Sequence, residues 1–174
     1  MKKFAFVLVI VFAFTALSCE GDRGPQGPPG LDGGIERGII LEITNDFTPQ
    51  NDYSFNYSFP NTIEVFESDV IQVYLLEEVV DDINGPADVW TPLPTSFFFN
   101  DGSQLVYNYN HTYFDAQFFL GGNVDFGTVS NELLLNQTFR IAIIPADFAE
   151  NNPDLNSMEA ILQAMPNSEI INLN

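Results

Sequence analysis

Aromatic residues alternate with small polar residues along several short stretches of the chain. In the clearest stretch, 53–59, tyrosine or phenylalanine occupies every second position and serine or asparagine the others. A period of two places the aromatic side chains on one face of a β-strand. Further short stretches typical of strands are separated by turn signals such as Asn84-Gly85-Pro86 and Asp101-Gly102; they cover 39–43, 69–76, 105–110, 116–120 and 138–144. This spacing predicts a mainly β fold, an antiparallel β-sandwich-like domain.

Two stretches indicate how the sandwich is covered. The nearly continuous apolar run at 69–76 is typical of a central strand that is buried on both faces. Near the end of the chain, Asn156 and Glu159 have the spacing of a helix capping pair, and Pro166 would end the helix. The apolar residues of this short C-terminal helix share one face: Met158, Ile161, Leu162 and Met165. We expect that face to pack on the sandwich.

The N-terminus has the layout of a secretory signal. Lys2 and Lys3 precede an apolar run, 4–16, and a segment of this kind is removed before folding. The run is 13 residues long, whereas a membrane-spanning helix needs about 20. We therefore predict a signal peptide over 1–18. A retained transmembrane helix is the alternative.

Cys19 is the only cysteine of the chain and follows this segment directly. No intramolecular disulfide can form, and the position suits acylation of the sulfur after export. We predict that Cys19 is lipidated and that the lipid membrane is thereby a partner. Ala16 stands where such signals usually have leucine, so cleavage by the ordinary signal peptidase, leaving a free thiol, is the alternative. Two or three acyl chains would hold the protein stably, because one chain alone binds only marginally.

A collagen-like tract follows the cysteine. Glycine recurs at every third position over 21–33, with prolines between, in four Gly-X-Y triplets and a fifth glycine. At ~3.1 Å per residue this tract would reach roughly 40 Å, so we interpret 19–34 as a semi-extended spacer that follows the lipidated cysteine. Four triplets are too few to hold a collagen trimer, and we expect a monomer. Residues 35–174 then form a single β-rich globular domain.

The chain is strongly acidic. Its net charge is −19, and removal of Lys2 and Lys3 with the signal peptide leaves −21 and no lysine. Nucleic acid is excluded as a partner, because phosphates require a basic surface. We interpret the acidity as a solvating surface of an exported protein.

Residues that could carry chemistry are sparse. His111 is the only histidine, so neither a catalytic triad nor a zinc site is expected, and we predict that the protein is not an enzyme and has no resident cofactor. Calcium, which prefers clustered oxygen ligands, is the alternative left open. Its weak candidate ligands lie in one acidic stretch: Glu78, Asp81, Asp82, Asn84 and Asp88.

Exposed aromatic residues could stack on sugars. The weak candidates for such a glycan site are Trp90, Tyr107 and Tyr109, although large aromatic residues in a sandwich usually belong to the core. The first hypothesis is therefore a non-enzymatic structural or interaction domain. The second is a glycan-binding domain, with calcium as an optional requirement.

Motifs along the whole chain support a family resemblance. They are Ser18-Cys19-Glu20-Gly21, the triplets at 24–30, Trp90-Thr91-Pro92-Leu93-Pro94, Tyr107-Asn108-Tyr109-Asn110, and 139–146 with its Phe-Arg start and Pro-Ala end. The chain resembles the small collagen-like lipoproteins of Bacteroidota, especially flavobacteria. That resemblance implies an exported lipoprotein of the outer membrane, on its periplasmic or cell-surface face, and implies no defined activity.

Overall fold

The computed structural model describes residues 38–83 and 85–173, which belong to one compact unit, Ile35–Asn174. The predicted signal peptide, Cys19 and the spacer lie outside the described residues, as does Asn84. The strands are β1 (Ile39–Asn45), β2 (Ser54–Ser58), β3 (Val70–Asp82), β4 (Gly85–Pro92), β5 (Thr95–Phe98), β6 (Gln104–His111), β7 (Asp115–Gly122), β8 (Gln137–Ile144) and β9 (Glu169–Asn172). The α-helices are α1 (Ala146–Asn151) and α2 (Met158–Ala164).

The strands form two sheets. One has five strands in the order β4-β3-β8-β1-β9, and the other has four in the order β2-β7-β6-β5. Neighbouring strands are antiparallel except β1 and β9, which are parallel. Buried residues from both sheets belong to one apolar cluster, so the sheets pack face to face. The predicted antiparallel β-sandwich-like fold with a short C-terminal helix is confirmed.

The inner faces of the two sheets meet in a core rich in aromatic rings. Phe139 of β8 is fully buried, and its ring centroid lies 4.8 Å from that of Phe118 and 6.1 Å from those of Phe47 and Phe55. Tyr107 of β6 lies 6.5 Å away. Tilted and edge-to-face arrangements of this kind add about 0.5–1.5 kcal/mol per pair beyond the burial of area. The aromatic core therefore holds the two sheets together.

The alternation seen at 53–59 places the predicted aromatic face on this core. Phe55 and Tyr57 are partly buried against it and Phe59 is buried, whereas Asn56 and Ser58 are exposed. Successive side chains of a β-strand point to opposite faces, so the aromatic side chains face the core and the polar side chains between them face outward. The prediction for this stretch is confirmed.

The outer face of the five-stranded sheet is covered by the C-terminal region. Four sheet residues, Ile40, Tyr74, Ala142 and Ile144, form a second apolar cluster with Leu155, Met158, Ile161 and Met165. Strand β3 is thus covered on both faces, and α2 packs its apolar face on the sheet, as predicted.

The predicted helix cap is wrong by one residue. Ser157, not Asn156, is the N-cap of α2, and its hydroxyl accepts a hydrogen bond from the N–H of Ala160 at 3.1 Å. Glu159 accepts a hydrogen bond from the side chain of Gln163 instead, at 2.9 Å. Serine and asparagine are equally good caps, so composition alone could not choose between them.

Strand β3 continues well past its predicted end at Leu76. It pairs with β8 only as far as Leu75, and beyond a β-bulge near Glu78 it pairs with β4 alone. We call this two-stranded segment, residues 78–88, the arm. Residues 78–83 and 86–88 are exposed, including Val79 at 56% and Ile83 at 97%. The acidic stretch that holds the calcium candidates therefore lies on two paired strands.

Candidate functional site

Three side chains line up across the outer face of the five-stranded sheet. Trp90 of β4 pairs with Leu76 of β3, and Arg140 of β8 pairs with Tyr74 on one side and Glu42 of β1 on the other. The guanidinium carbon of Arg140 lies 4.0 Å from the centroid of the Trp90 ring. Its Nε donates to the carboxylate of Glu42 at 2.9 Å. The strand register thus holds Arg140 between an aromatic face and a carboxylate.

Strand β4 and helix α2 border a groove of about 650 Å³ beside this row, which we call the Trp90 groove. Its lining combines apolar groups from Trp90, Met158 and Leu162 with polar groups that include Arg140 and Gln163. Asp88 and Glu159 add two carboxylates. A concave apolar surface with a few convergent polar groups is typical of a binding site.

One buried hydrogen-bond donor beside the groove is without a partner in the described part of the chain. The indole Nε1 of Trp90 is buried and bonds to no acceptor in the described part of the chain. Arg140 donates to Glu42 through Nε. Buried polar groups in folded proteins are nearly always paired, so the indole N–H of Trp90 is a donor beside the groove that lacks its expected acceptor.

The groove is acidic around a single cation. Arg140 is the only lysine or arginine that the structure describes, and the opposing charges near it are those of Glu42, Asp88 and Glu159. One acceptor group can therefore meet the guanidinium, while positive groups on a ligand would be attracted to the remaining carboxylates.

Strand β4 is an edge of its sheet. The N–H of Leu93 donates to the carbonyl of Val73 at 2.9 Å, so residues of odd number in β4 point their main-chain groups toward β3. By the alternation of an antiparallel ladder, the main-chain groups of Asp88 and Trp90 point outward. Pro86 and Pro92 occupy the next outward positions and have no N–H. The open edge is confined to the part of β4 that lines the groove.

The three aromatic candidates for a glycan site do not share a surface. Tyr107 and Tyr109 belong to the core between the sheets, whereas Trp90 packs against the cluster on the outer face. The hydroxyl of Tyr107 donates to the carbonyl of Leu133, and that of Tyr109 donates to the carbonyl of Ile71 at 3.2 Å. Burial raises the pKa of both phenols. The structure therefore does not bring the three candidates together, and of the three Trp90 lies at a groove.

The calcium candidates lie on the arm, divided between its two faces. Val79 pairs with Asp88, which places Asp88 and Asp81 on one face, whereas Glu78 and Asp82 lie on the other. Asn84 lies outside the described residues. In the described ranges, no group of three or more histidine, cysteine or acidic side chains is positioned to hold a metal ion. Calcium binding here stays a prediction without a site that this geometry supports.

His111, Asp101 and Asp115 lie at or near the ends of strands of the four-stranded sheet. His111 ends β6, and its ring stacks on Tyr109 with the centroids 6.1 Å apart. Hydrogen bonds from Ser103 lower the pKa of Asp101, and those from Asn56 and Thr112 lower the pKa of Asp115. A lowered pKa favours the carboxylate, whereas a general acid requires a raised one.

No family model matches the chain, no curated protein matches it, and no solved structure matches its fold. In the part of the chain that the structure describes, no helix is long and apolar enough to cross a membrane. The resemblance to collagen-like lipoproteins stays a prediction.

The sequence pattern identifies Trp90 as a candidate but does not identify the residues that line the groove with it. Arg140 was noted only within a motif, and Met158 and Leu162 were assigned to packing. The available signal was Arg140 itself, since Arg37 and Arg140 are the only two lysine or arginine residues of the acidic domain, 35–174.

Proposed function

We propose that the chain is an exported lipoprotein, held on the outer membrane through acylated Cys19, whose β-sandwich domain is a non-enzymatic binding module. The observation that carries the binding role is the Trp90 groove, with the unpaired indole N–H of Trp90 and the guanidinium of Arg140 beside apolar side chains. Such a groove offers both contact area and directional hydrogen bonds.

The non-enzymatic role is supported by the chemistry of the groove. Its ionisable groups are one arginine and two carboxylates, Asp88 and Glu159, and the groove holds no histidine, cysteine or lysine. Arginine stays protonated and cannot act as a base at neutral pH. This set is suited to recognition by charge and hydrogen bonding.

The location is supported by the sequence. The basic start, the short apolar run and the lone Cys19 are together typical of a lipoprotein signal, and the Gly-X-Y spacer would separate the domain from the lipid. Two or more acyl chains would make the attachment stable.

Metabolic labelling with a clickable fatty acid tests the anchor. We expect the wild-type chain to incorporate label and to fractionate with the outer membrane, and Cys19→Ala to lose both properties. Trp90→Ala is the matched control and should be labelled like wild type, because the groove plays no part in acylation. Equal labelling of wild type and Cys19→Ala would contradict the anchor.

A further inference from the structure

The edge of β4 and the Trp90 groove form one continuous surface. Main-chain donors and acceptors of Asp88 and Trp90 point outward along the edge, and the side chains of the same residues line the groove. An edge strand beside an apolar groove is the arrangement in which proteins take up an extended peptide as an added strand. The main chain then supplies affinity and the groove selects a side chain.

We propose that this surface binds an extended peptide segment of a partner protein, with one apolar side chain in the Trp90 groove and basic side chains beside Asp88 and Glu159. The inference specifies the ligand of the proposed binding module and is independent of the anchor at Cys19.

The length of the segment follows from the prolines. Pro86 and Pro92 remove the outward N–H groups on either side, so the open edge spans 87–91. At ~3.3 Å per residue this is roughly 17 Å, which matches a peptide of about five residues in contact. A longer strand would meet positions that cannot donate.

The charge of the peptide follows from the carboxylates. Asp88 and Glu159 line the groove, and Asp81 lies on the same face of the arm as Asp88. Arg140 is the one described basic group opposed to them, and it lines the groove, where its guanidinium can donate to a carbonyl oxygen of the peptide. Lysine or arginine next to the apolar residue is therefore favoured, and acidic neighbours are repelled.

A peptide fits this site better than a sugar. Stacking of a sugar requires an open ring face, and the guanidinium of Arg140 already covers one face of Trp90. The outward main-chain groups of β4 match the repeat of another extended chain, which a sugar does not provide.

Fluorescence anisotropy on the unlipidated mature chain, carrying Cys19→Ala, tests the proposal. The probes are labelled seven-residue peptides with a central leucine flanked by threonine and lysine, and a matched series with glutamate for lysine. We expect the lysine series to bind at least about tenfold more tightly than the glutamate series. Two N-methylated lysine peptides test the added strand. The two peptides are methylated on alternate sets of main-chain nitrogens. Methylation of the set that faces β4 should abolish binding and methylation of the other set should not, because only every second N–H faces β4.

Charge-reversal variants locate the site. Asp88→Lys should weaken binding of the lysine peptides about tenfold or more. Glu67→Lys makes the same charge change in the exposed loop between β2 and β3, away from the groove, and should bind nearly as wild type. Circular dichroism of both variants checks that they are folded.

Four outcomes would overturn the proposal. They are the absence of binding of any lysine peptide up to about 1 mM; equal binding of the two N-methylated peptides; equal losses in Asp88→Lys and Glu67→Lys; and a glycan that binds in an array and is released by Trp90→Ala. The labelling of Cys19 would be unaffected by any of them, so failure of this inference and failure of the anchor are distinguishable.

Discussion

The two faces of the five-stranded sheet differ in the number of buried residues and in the kinds of contact that they make. The inner face contributes to a cluster of 18 buried residues that is closed by aromatic rings from both sheets. The outer face contributes to a cluster of 8 buried residues and carries the Arg140–Glu42 ion pair, the Arg140–Trp90 contact and the groove. The inner face of this sheet thus contributes mainly to stability and the outer face to recognition. An apolar core needs no partner, whereas charged and aromatic groups at a groove do.

The largest effect that would test this contrast concerns Phe139. Phe139→Ala should lower the free energy of unfolding by about 3–5 kcal/mol, since the cavity would lie among four rings that cannot collapse onto it. Urea denaturation measures the change. The fluorescence of Trp90, the single tryptophan, reports on the outer face, and circular dichroism reports on the sheets as a whole.

Phe98→Ala is the matched control for this prediction. Phe98 is 76% exposed, so the same change should stay within about 0.5 kcal/mol of wild type. Similar losses in the two variants would show that the inner face does not dominate stability.

A smaller effect concerns the helix that borders the groove. Ser157→Ala should cost about 1 kcal/mol, because it removes the acceptor for the N–H of Ala160. Asn156→Ala should be nearly neutral in the same urea titration. A larger loss in Asn156→Ala would restore the cap expected from the sequence and shift the start of α2.

The smallest expected effect is seen only in alkaline solution. Burial, and secondarily the charge of Tyr109, raise the pKa of Tyr74 from 10.0 to about 12. Between these values the unfolded chain has released a proton that the folded chain retains, so stability should fall as pH rises through this window. Tyr74→Phe should reduce that slope, as measured by urea titrations between pH 9 and about 12.

Tyr113→Phe is the control at alkaline pH. Tyr113 is 41% exposed, and its replacement should leave the slope unchanged. Residues 19–174 contain no lysine, so tyrosines dominate their titration in this range. An unchanged slope in Tyr74→Phe would show that the outer cluster does not exclude the charged phenolate.

The elements that the sequence predicted are those whose own side chains bury an apolar face. Strands β1, β2, β3, β6, β7 and β8 each contribute side chains to the core between the sheets, and the apolar face of α2 is equally clear. Strand β4 was missed because aspartate and two prolines are unfavourable in strands, and pairing with β3 overrides that preference. Strand β9 is short and exists through its parallel pairing with β1, which is about 130 residues away in the sequence.

The candidate site was only partly predictable for a related reason. The alternation at 105–110 indicates that Tyr107 and Tyr109 share a face, but alternation cannot say whether that face meets the core or the solvent. The contact of Arg140 with Trp90 depends on the order of β4, β3 and β8, which the sequence pattern does not encode locally. The sequence thus predicted which residues could take part in binding, but not which of them lie side by side in the structure.

The two prolines of β4 have a consequence for a protein crowded on a surface. Anchored molecules diffuse in two dimensions and meet at high local density, where an unprotected sheet edge would join neighbours into growing cross-β assemblies. Pro86 and Pro92 interrupt the edge before it can support a long ladder between copies. Under the proposed anchoring, Pro86 and Pro92 would leave room for one short added strand. They would also prevent the anchored molecules from aggregating through their sheet edges.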